Sequence, residues 1–211
     1  MWNIKFLKEN KLELFILLLL PLFIFYFDRS ILLFIKEFHK SFPLIHLYLE
    51  LIDPVINFFS HGLTLLVIIF IIFFAGKYYN ASRVLFFGRA MIISFIITGI
   101  VVQILKHIIG RARPRITDYT LFLGPSIKSG FDSFPSGHTA IVFSLAYVFS
   151  RELPEYKLLF YFLAFVVAFE RVEDFSHFPS DVLAGAIIGI LLGKLLSNTL
   201  FYRGIKDVRI S

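Results

Sequence analysis

The segment Pro135-Ser136-Gly137-His138 combines residue types that bind anions and transfer protons, and it stands directly before an apolar run. Pro135 suits the first turn of a helix, where backbone amides have no intrahelical acceptor and the helix dipole attracts anions. Ser136 adds a hydroxyl donor, Gly137 lets a ligand approach the backbone closely, and His138 can exchange a proton near neutral pH. Taken alone, the segment is better explained as a helix start with His138 as an ordinary interface residue.

A second segment, RVEDFSHFPSD at residues 171–181, places a histidine beside a carboxylate. Pro179 predicts another helix start, with Asp181 in its first turn and His177 just outside it. A carboxylate four residues from an imidazole can accept a hydrogen bond from one ring nitrogen, which makes the other nitrogen a better nucleophile or base. Arg171 supplies a fork of donors that suits phosphate. The alternative is a structural ion pair between Arg171 and an acidic neighbour, Glu173 or Asp174.

A third segment is strongly basic. The sequence KHIIGRARPR carries four cations in ten residues, namely Lys106, Arg111, Arg113 and Arg115, and Lys128 follows in the same loop. Cations concentrated in one loop can bind an anionic ligand. If the surrounding apolar segments cross a membrane in turn, this loop and the His177 loop lie on the same face and can form one site.

The composition indicates that the apolar segments do lie in lipid. The chain has 211 residues, of which 58% are hydrophobic and 17% charged, and its mean hydropathy is +0.81. Soluble domains are about half apolar and about a quarter charged. The net charge of +6 is accounted for by anchoring loops or an anionic substrate, and we predict no nucleic-acid partner. The absence of cysteine excludes disulfides and thiolate metal sites.

A membrane-spanning helix needs about 20 mainly apolar residues. Six segments come near this length: Leu12–Phe27, Val55–Gly76, Val84–Leu105, Ser136–Ser150, Tyr156–Phe169 and Val182–Leu200. Between the first two, Ile31–Ile52 mixes apolar and charged residues as an amphipathic interfacial segment does. We therefore predict an all-α integral membrane protein with six transmembrane helices, an interfacial segment between the first and second, and a single domain over residues 1–211.

The lysine and arginine residues give the orientation. With six spans, ten of them lie on the side of the termini and nine on the other side, five of the nine between Lys106 and Lys128. If those five bind a ligand, the remaining bias places the termini in the cytoplasm by the positive-inside rule. The two histidine loops then face the opposite side of the membrane.

Together, the three segments resemble the three-part signature of the type 2 phosphatidic acid phosphatase superfamily, in its six-helix membrane branch. Lys106 is followed after six residues by Arg113-Pro114, then comes the Pro-Ser-Gly-His segment, and Arg171 is followed after five residues by His177 and after three more by Asp181. All parts occur in order and at the right helix ends. The third part usually begins Ser-Arg, whereas Glu170 stands here in place of the serine, so a donor role at position 170 has no support.

The resemblance implies a role for each matching residue. His177 would attack phosphorus and form a phosphohistidine, with Asp181 orienting it. His138 would protonate the leaving oxygen and later activate water. The phosphoryl oxygens would be held by Lys106, Arg113, Ser136, Gly137 and Arg171. Such cationic donors stabilise charge on the transferring group without a metal, so the resemblance implies no cofactor and no metal.

Two other classes of function are weighed against this one. A metal-dependent hydrolase would use His138, His177 and Asp181 as ligands, but the surrounding Lys and Arg residues would repel a dication. A small transporter would carry ionisable residues along a pathway, whereas here they cluster at the ends of the apolar segments.

The resemblance further implies a bacterial enzyme of the inner membrane that acts at the periplasmic face on a lipid phosphate. We favour the 1-phosphate of lipid A, with phosphatidylglycerol phosphate and undecaprenyl diphosphate as alternatives. Arg111, Arg115 and Lys128 are candidates for contacts with a sugar or a second phosphate, or are solvated loop charges. The repeat of Gly185, Gly189 and Gly193 lets helices pack closely, and we assign it to packing within the monomer in preference to a dimer interface. We expect the protein to be a monomer or a weak homodimer.

Overall fold

The computed structural model describes residues 10–208, with side chains described through residue 197. This part of the chain is helical, and its helices are α1 (Lys11–Leu22), α2 (Asp28–Ser41), α3 (Pro43–Ser60), α4 (Gly62–Tyr78), α5 (Ser82–Ile109), α6 (Gly137–Glu152), α7 (Lys157–Glu173) and α8 (Pro179–Val208). The side chains of five of the ten Lys and Arg residues on the side of the termini cannot be placed. Lys5, Lys8 and Arg209 lie outside the described residues, and so do the side chains of Arg203 and Lys206.

The first predicted span continues beyond its predicted end. A π-helical turn at Phe23–Phe27 joins α1 to α2, so that the whole segment Lys11–Ser41 is one candidate span. The predicted interfacial segment Ile31–Ile52 is not one helix, because it divides at Phe42 between α2 and α3. Phe42 precedes Pro43 and leaves the helical region (φ −128°, ψ 65°), as expected for a residue whose backbone is restricted by the following proline.

The second predicted span is broken as well. His61 is extended (φ −64°, ψ 135°), and its Nδ1 accepts a hydrogen bond of 3.3 Å from the Leu63 amide at the start of α4. The helices α3 and α4 therefore meet at a bend of 47°. The apolar run alone does not reveal this bend, since it continues on both sides of His61.

Within the described residues, three helices are long and apolar enough to cross a membrane, or four if the bent pair α3–α4 counts as one span. Helices α6 and α7 have 16 and 17 residues, fewer than the roughly 20 that a span requires. The six-span layout therefore stays a prediction, whereas the all-helical architecture with membrane-compatible helices is confirmed.

The centre of the fold is the close pair α6–α8. A Cβ atom on Gly185 would lie 2.6 Å from the Ser136 carbonyl oxygen, one on Gly193 would lie 2.9 Å from the Ser144 carbonyl oxygen, and one on Gly189 would overlap the Ala140 carbonyl. The glycine repeat thus lets the two backbones touch along their length. Its assignment to packing within the monomer is confirmed.

The long loop between α5 and α6 folds back over the end of the helices. Gly110 ends α5 in the left-handed conformation (φ +58°), and a side chain there would overlap the Gly124 carbonyl. The Gly110 carbonyl oxygen accepts a hydrogen bond from the Leu123 amide. Arg111 and Phe122 form an isolated antiparallel bridge. This turn directs the basic segment into the fold rather than away from it.

Candidate active site

The structure brings all the sequence-predicted site residues to one end of the helix bundle. The Ser136 amide donates to the Asp181 carbonyl oxygen at 3.0 Å and so ties the start of α6 to the start of α8. Gly137 lies against Lys106, whose Cε would be 3.7 Å from a Cβ on the glycine. His138 lies within electrostatic range of Lys106, Arg171 and His177.

The starts of the two helices follow the prediction closely. Pro179 is the first residue of α8, and Asp181 lies in its first turn. At the other start, α6 begins at Gly137, and Ser136 is the extended N-cap residue, so Pro135 stands before the helix rather than in it. Because the Ser136 amide is bonded to Asp181, the first-turn amides left for an anion are those of Gly137 and the residues after it.

His177 is buried between the ends of α7 and α8, with 2% of its surface exposed. Burial lowers its pKa, and the charges of Lys106 and Arg113 act in the same direction, while Asp181 acts against them. The imidazole therefore favours its neutral form. Its Nδ1 lies 3.7 Å from Asp181 Oδ2, which is longer than a hydrogen bond, so Asp181 acts on the ring as an electrostatic partner in this geometry.

Both carboxylate oxygens of Asp181 are held by other donors. Arg111 Nη1 donates to Oδ1 at 2.5 Å, and Oδ2 accepts from Ser133 Oγ at 2.5 Å and from the Phe178 amide at 2.8 Å. The carboxylate is fully buried. It is therefore fixed in position and kept ionised close to the imidazole.

Arg111 is itself completely buried and joins α2 to the site. Its Nη2 donates to Asp28 Oδ2 at 2.6 Å, and its guanidinium lies 4.1 Å from the centre of the Phe178 ring. Asp28 Oδ1 in turn accepts from the Ser180 amide at 2.9 Å. The interpretation of Arg111 as a headgroup contact or a solvated charge is wrong, because its guanidinium is enclosed between two carboxylates.

The sequence patterns do not predict a role for Asp28, Ser133 or Ser180. For Asp28 a signal was present, since an ionisable residue within a membrane-type helix is by default a candidate functional residue. The two serines carry no signal in one sequence, because serine is common at loops and helix starts.

Two of the predicted phosphate-binding cations are held by Asp132. Arg113 donates to its two carboxylate oxygens at 2.9 and 2.6 Å, and Lys106 Nζ donates to its carbonyl oxygen. Burial opposes ionisation of this carboxyl group, but the hydrogen bonds and charge of Arg113 prevail and lower its pKa to about 2. Asp132 therefore stays negative at all physiological pH values, and its side chain is 36% exposed.

The third cation, Arg171, is paired within the protein too. It donates from Nε and Nη2 to the Glu170 carboxylate and from Nη2 to Asn57 Oδ1. Glu170, which departs from the family signature, thus supplies the counter-ion of Arg171. The pairing of Arg171 with Glu173 or Asp174, which the sequence left open, is replaced by a pair with its immediate neighbour.

The other two loop cations lie further out. Arg115 is bound to the Asp174 carboxylate at 2.8 Å and to the Asp174 carbonyl oxygen at 3.0 Å, with more than half of its side chain exposed. Lys128 lies 5.1 Å from the centre of the Phe131 ring. Both remain accessible to solvent or to a large headgroup.

The described residues do not bring His138, His177 and Asp181 together as metal ligands. Among the described residues, the group of three donors close enough to hold a metal ion is His39, His46 and Glu173. The arrangement at His177 instead combines a neutral buried imidazole, a fixed carboxylate, a second histidine and three cations. Such a set can bind an anionic group and transfer it through the imidazole.

Comparison with known proteins gives a consistent result. Over 127 residues the chain is 35% identical to a lipid A 1-phosphatase of Rhizobium johnstonii, covering 59% of this chain and 52% of that protein. The chain thus spans about half the length of this curated relative.

Two solved structures are similar in fold. The crystal structure of Aquifex aeolicus LpxE matches with a TM-score of 0.55 and 26% identity over 74% of this chain and 87% of that one. The PAP2-type phosphatidylglycerolphosphate phosphatase of Bacillus subtilis matches with a TM-score of 0.64 and 26% identity over 92% of this chain and 96% of that one. Residues 87–205 match the PAP2 superfamily, and these residues contain every predicted site residue. The chain belongs to the PAP2 superfamily.

Proposed function

We propose that this protein is an integral membrane lipid phosphatase that works through a phosphohistidine and needs no metal for the chemistry. The observation that carries the proposal is the environment of His177, which is buried and neutral, 3.7 Å from the fixed carboxylate of Asp181 and within electrostatic range of His138, Lys106 and Arg113.

In the first step, His177 attacks the phosphorus atom of the substrate. Because Nδ1 faces Asp181, the attacking atom is Nε2, and the positive charge that develops on the ring is stabilised by the Asp181 carboxylate. The P–O bond to the leaving group breaks, and His138 gives that oxygen its proton. The product is a dephosphorylated lipid, or a lipid monophosphate if the substrate is a diphosphate.

In the second step, water attacks the phosphohistidine. His138, now neutral, takes a proton from the water, and the P–N bond breaks to release inorganic phosphate and regenerate both histidines. The mechanism therefore requires a protonated His138 and a neutral His177 when the substrate is bound, and His138 acts first as an acid and then as a base.

The phosphoryl oxygens are held by Lys106, Arg113 and Arg171, by the Ser136 hydroxyl and by the Gly137 amide. Arg113 and Arg171 are already oriented by Asp132 and Glu170. This lowers the cost of positioning the donors, and it obliges the substrate phosphate to compete with those carboxylates.

The substrate we favour is the 1-phosphate of lipid A, which the Rhizobium similarity supports, while the Bacillus similarity supports phosphatidylglycerol phosphate. Undecaprenyl diphosphate is the third candidate. The protein would sit in the inner membrane of a bacterium with its termini in the cytoplasm and its site at the periplasmic face.

The decisive experiment measures phosphate release by the purified protein from these three lipids side by side. A preference of about a hundredfold, roughly 2.7 kcal/mol, identifies the substrate. His177→Ala should abolish release and the acid-labile phosphoenzyme, whereas His107→Ala, an exposed histidine of the same face, should leave both unchanged. Undiminished release by His177→Ala would refute the mechanism and favour a transporter or a different site.

Chelation tests the metal independence. Full activity after treatment with EDTA is expected. Activity that EDTA abolishes and zinc restores, in the unaltered protein and in His46→Ala alike, would overturn the metal-free chemistry.

A further inference from the structure

A second cluster of titratable side chains lies beside the active site and takes no part in the proposed chemistry. It joins three elements: His39 near the end of α2, His46 in the first turn of α3 and Glu173 at the end of α7. His39 Nε2 lies 3.0 Å from Glu173 Oε1, and His46 Nδ1 lies 3.7 Å from the same oxygen. The carboxylate is buried, with 4% of its side chain exposed.

His46 gives the sharpest indication of what this cluster binds. Its Nε2 lies 3.4 Å from a carboxylate oxygen of Glu50, one helical turn further along α3. A ring proton on Nε2 would face this carboxylate oxygen, and in that tautomer Nδ1 is an acceptor. Nδ1 is buried and has no hydrogen-bond partner among the described residues. In that tautomer a nitrogen lone pair faces a carboxylate oxygen, and two acceptors in contact repel each other unless a proton or a metal cation lies between them.

The distances suit a metal ion as that cation. Zinc bound at 2.0–2.1 Å in a tetrahedron separates its ligand atoms by about 3.3 Å. The two nitrogen–oxygen distances in the cluster lie on either side of this value, and all three donor atoms are within 4.8 Å of one another. The two imidazole rings are stacked with centroids 4.0 Å apart, so binding requires them to splay slightly.

The donor types select the class of ion. Two imidazole nitrogens and one carboxylate oxygen suit zinc and its neighbours in the first transition row, whereas magnesium and calcium require mainly oxygen ligands. The Glu50 contact has the form of the outer-shell carboxylate that orients a metal-bound histidine. The His46 side chain is 35% exposed, which gives an ion access from solvent.

We propose that His39, His46 and Glu173 form a binding site for a divalent transition-metal ion of the zinc type. The ion would clamp the α2–α3 corner to the end of α7, two residues after Arg171 and four before His177. Its role is structural, so the proposal stands or falls independently of the phosphatase mechanism.

The test uses the full-length protein after removal of any histidine tag and titrates it with Co²⁺, followed by competition with Zn²⁺. The expected result is one ion per chain, seen as visible absorption of cobalt in a nitrogen and oxygen environment and as a rise in Tm. The chain has no cysteine, so no thiolate competes.

Variants separate this site from the catalytic one. His46→Ala and Glu173→Gln should weaken Co²⁺ binding by more than about 100-fold, and Glu50→Gln by about 10- to 100-fold, as expected for an outer-shell partner. His177→Ala and His107→Ala should bind Co²⁺ as the unaltered protein does.

Two outcomes would overturn the proposal. One is the absence of stoichiometric Co²⁺ or Zn²⁺ binding, which would mean that a proton bridges His46 and Glu173 instead. The other is binding that survives His46→Ala but is lost in His177→Ala, which would move the metal to the catalytic site. Phosphate release by the His46→Ala protein reports on the phosphatase proposal separately.

Discussion

In the proposed mechanism, His177 owes its reactivity to burial. The pKa of its imidazole is lowered because the protein displaces water from it, with Lys106 and Arg113 adding to the effect. A free histidine titrates near pH 6.5. A lowered pKa means that the neutral nucleophile persists as the pH falls through that value.

We therefore expect the acid limb of kcat/KM to lie below pH 6.5. The measurement is phosphate release between pH 4 and 8, restricted to the range in which circular dichroism shows a folded protein. This restriction is needed because, at acidic pH, an unfolded chain binds a proton at His177 that the native protein does not. The free energy of unfolding therefore decreases as the pH is lowered through this range. A limb at or above pH 6.5 would contradict the burial argument.

In the proposed site, Glu170 competes with the substrate for Arg171. Replacing it by serine, the usual residue of the family, frees a guanidinium that now donates to a buried carboxylate. We expect Glu170→Ser to lower the inhibition constant of inorganic phosphate about tenfold, in line with the 1.5–3 kcal/mol of a hydrogen bond to a charged group. Without phosphate the variant should be less stable, because a buried charge loses its partner.

Glu152→Ser is the matched control for this variant. Glu152 pairs with the exposed Arg83 at the opposite end of the bundle, and its loss should leave the inhibition constant unchanged. Equal inhibition constants for Glu170→Ser and the unaltered protein would show that Arg171 does not bind the phosphate.

The residues that sequence could predict are those whose chemistry is written in short segments. His138, His177 and Asp181 each lie within three residues of a proline that signals a nearby helix start, so both their type and their position could be predicted. The roles of Asp28 and Asp132 could not be predicted. Asp28 acts through Arg111, which is 83 residues away in the sequence, and the position of Asp132 depends on how the loop between α5 and α6 folds back.

At the scale of elements, the site is assembled by the α6–α8 contact. This contact holds Ser136 and His138 on one helix against Asp181 on the other, and it depends on the small size of Gly189 where the backbones cross. A side chain there meets the Ala140 carbonyl, which is backbone and cannot rotate away.

Gly189→Ala should therefore destabilise the protein by about 1–3 kcal/mol through overpacking and reduce kcat by separating the two histidine segments. Tm in detergent and phosphate release are the measurements. Gly99→Ala on α5 is the control, because a Cβ there meets nothing within 4 Å, and alanine's higher helix propensity should leave Tm equal or raised. Equal Tm values for the two variants would refute the close-packing role.

Prediction from sequence succeeds for α5 and for the start of α8, and it fails at the bend between α3 and α4. Both ends of α5 follow from a long apolar run and the start of α8 follows from a proline signal, and the structure agrees with them within a few residues. The bend at His61 could not be predicted, because a change in backbone direction leaves the apolar pattern intact. It is set by one extended residue and its hydrogen bond to Leu63.

For the whole molecule, the proposed orientation can be tested directly because the chain has no cysteine. Ser129 is exposed in the loop near the site, and Ser82 is exposed at the start of α5, a helix of 28 residues and so about 42 Å long. Each can be replaced by a single cysteine.

A membrane-impermeant maleimide should label Ser129→Cys in bacteria whose outer membrane alone is permeabilised. Ser82→Cys should react only after the inner membrane is opened. The reverse pattern would place the site in the cytoplasm and refute the orientation. Labelling of both from one side would show that α5 does not span the membrane.

The ion pair between Arg111 and Asp28 also limits which fragments and chimeras of the protein keep Arg111 fully paired. The family match begins at residue 87, whereas Asp28 lies on α2, far upstream of it. A fragment cut at residue 87 would keep the enclosed guanidinium and lose one of its two carboxylates, so the start of the family match is not a boundary of folding. A chimera that exchanges the first helices for those of a relative must supply an acidic side chain at the same place, or replace Arg111 along with them.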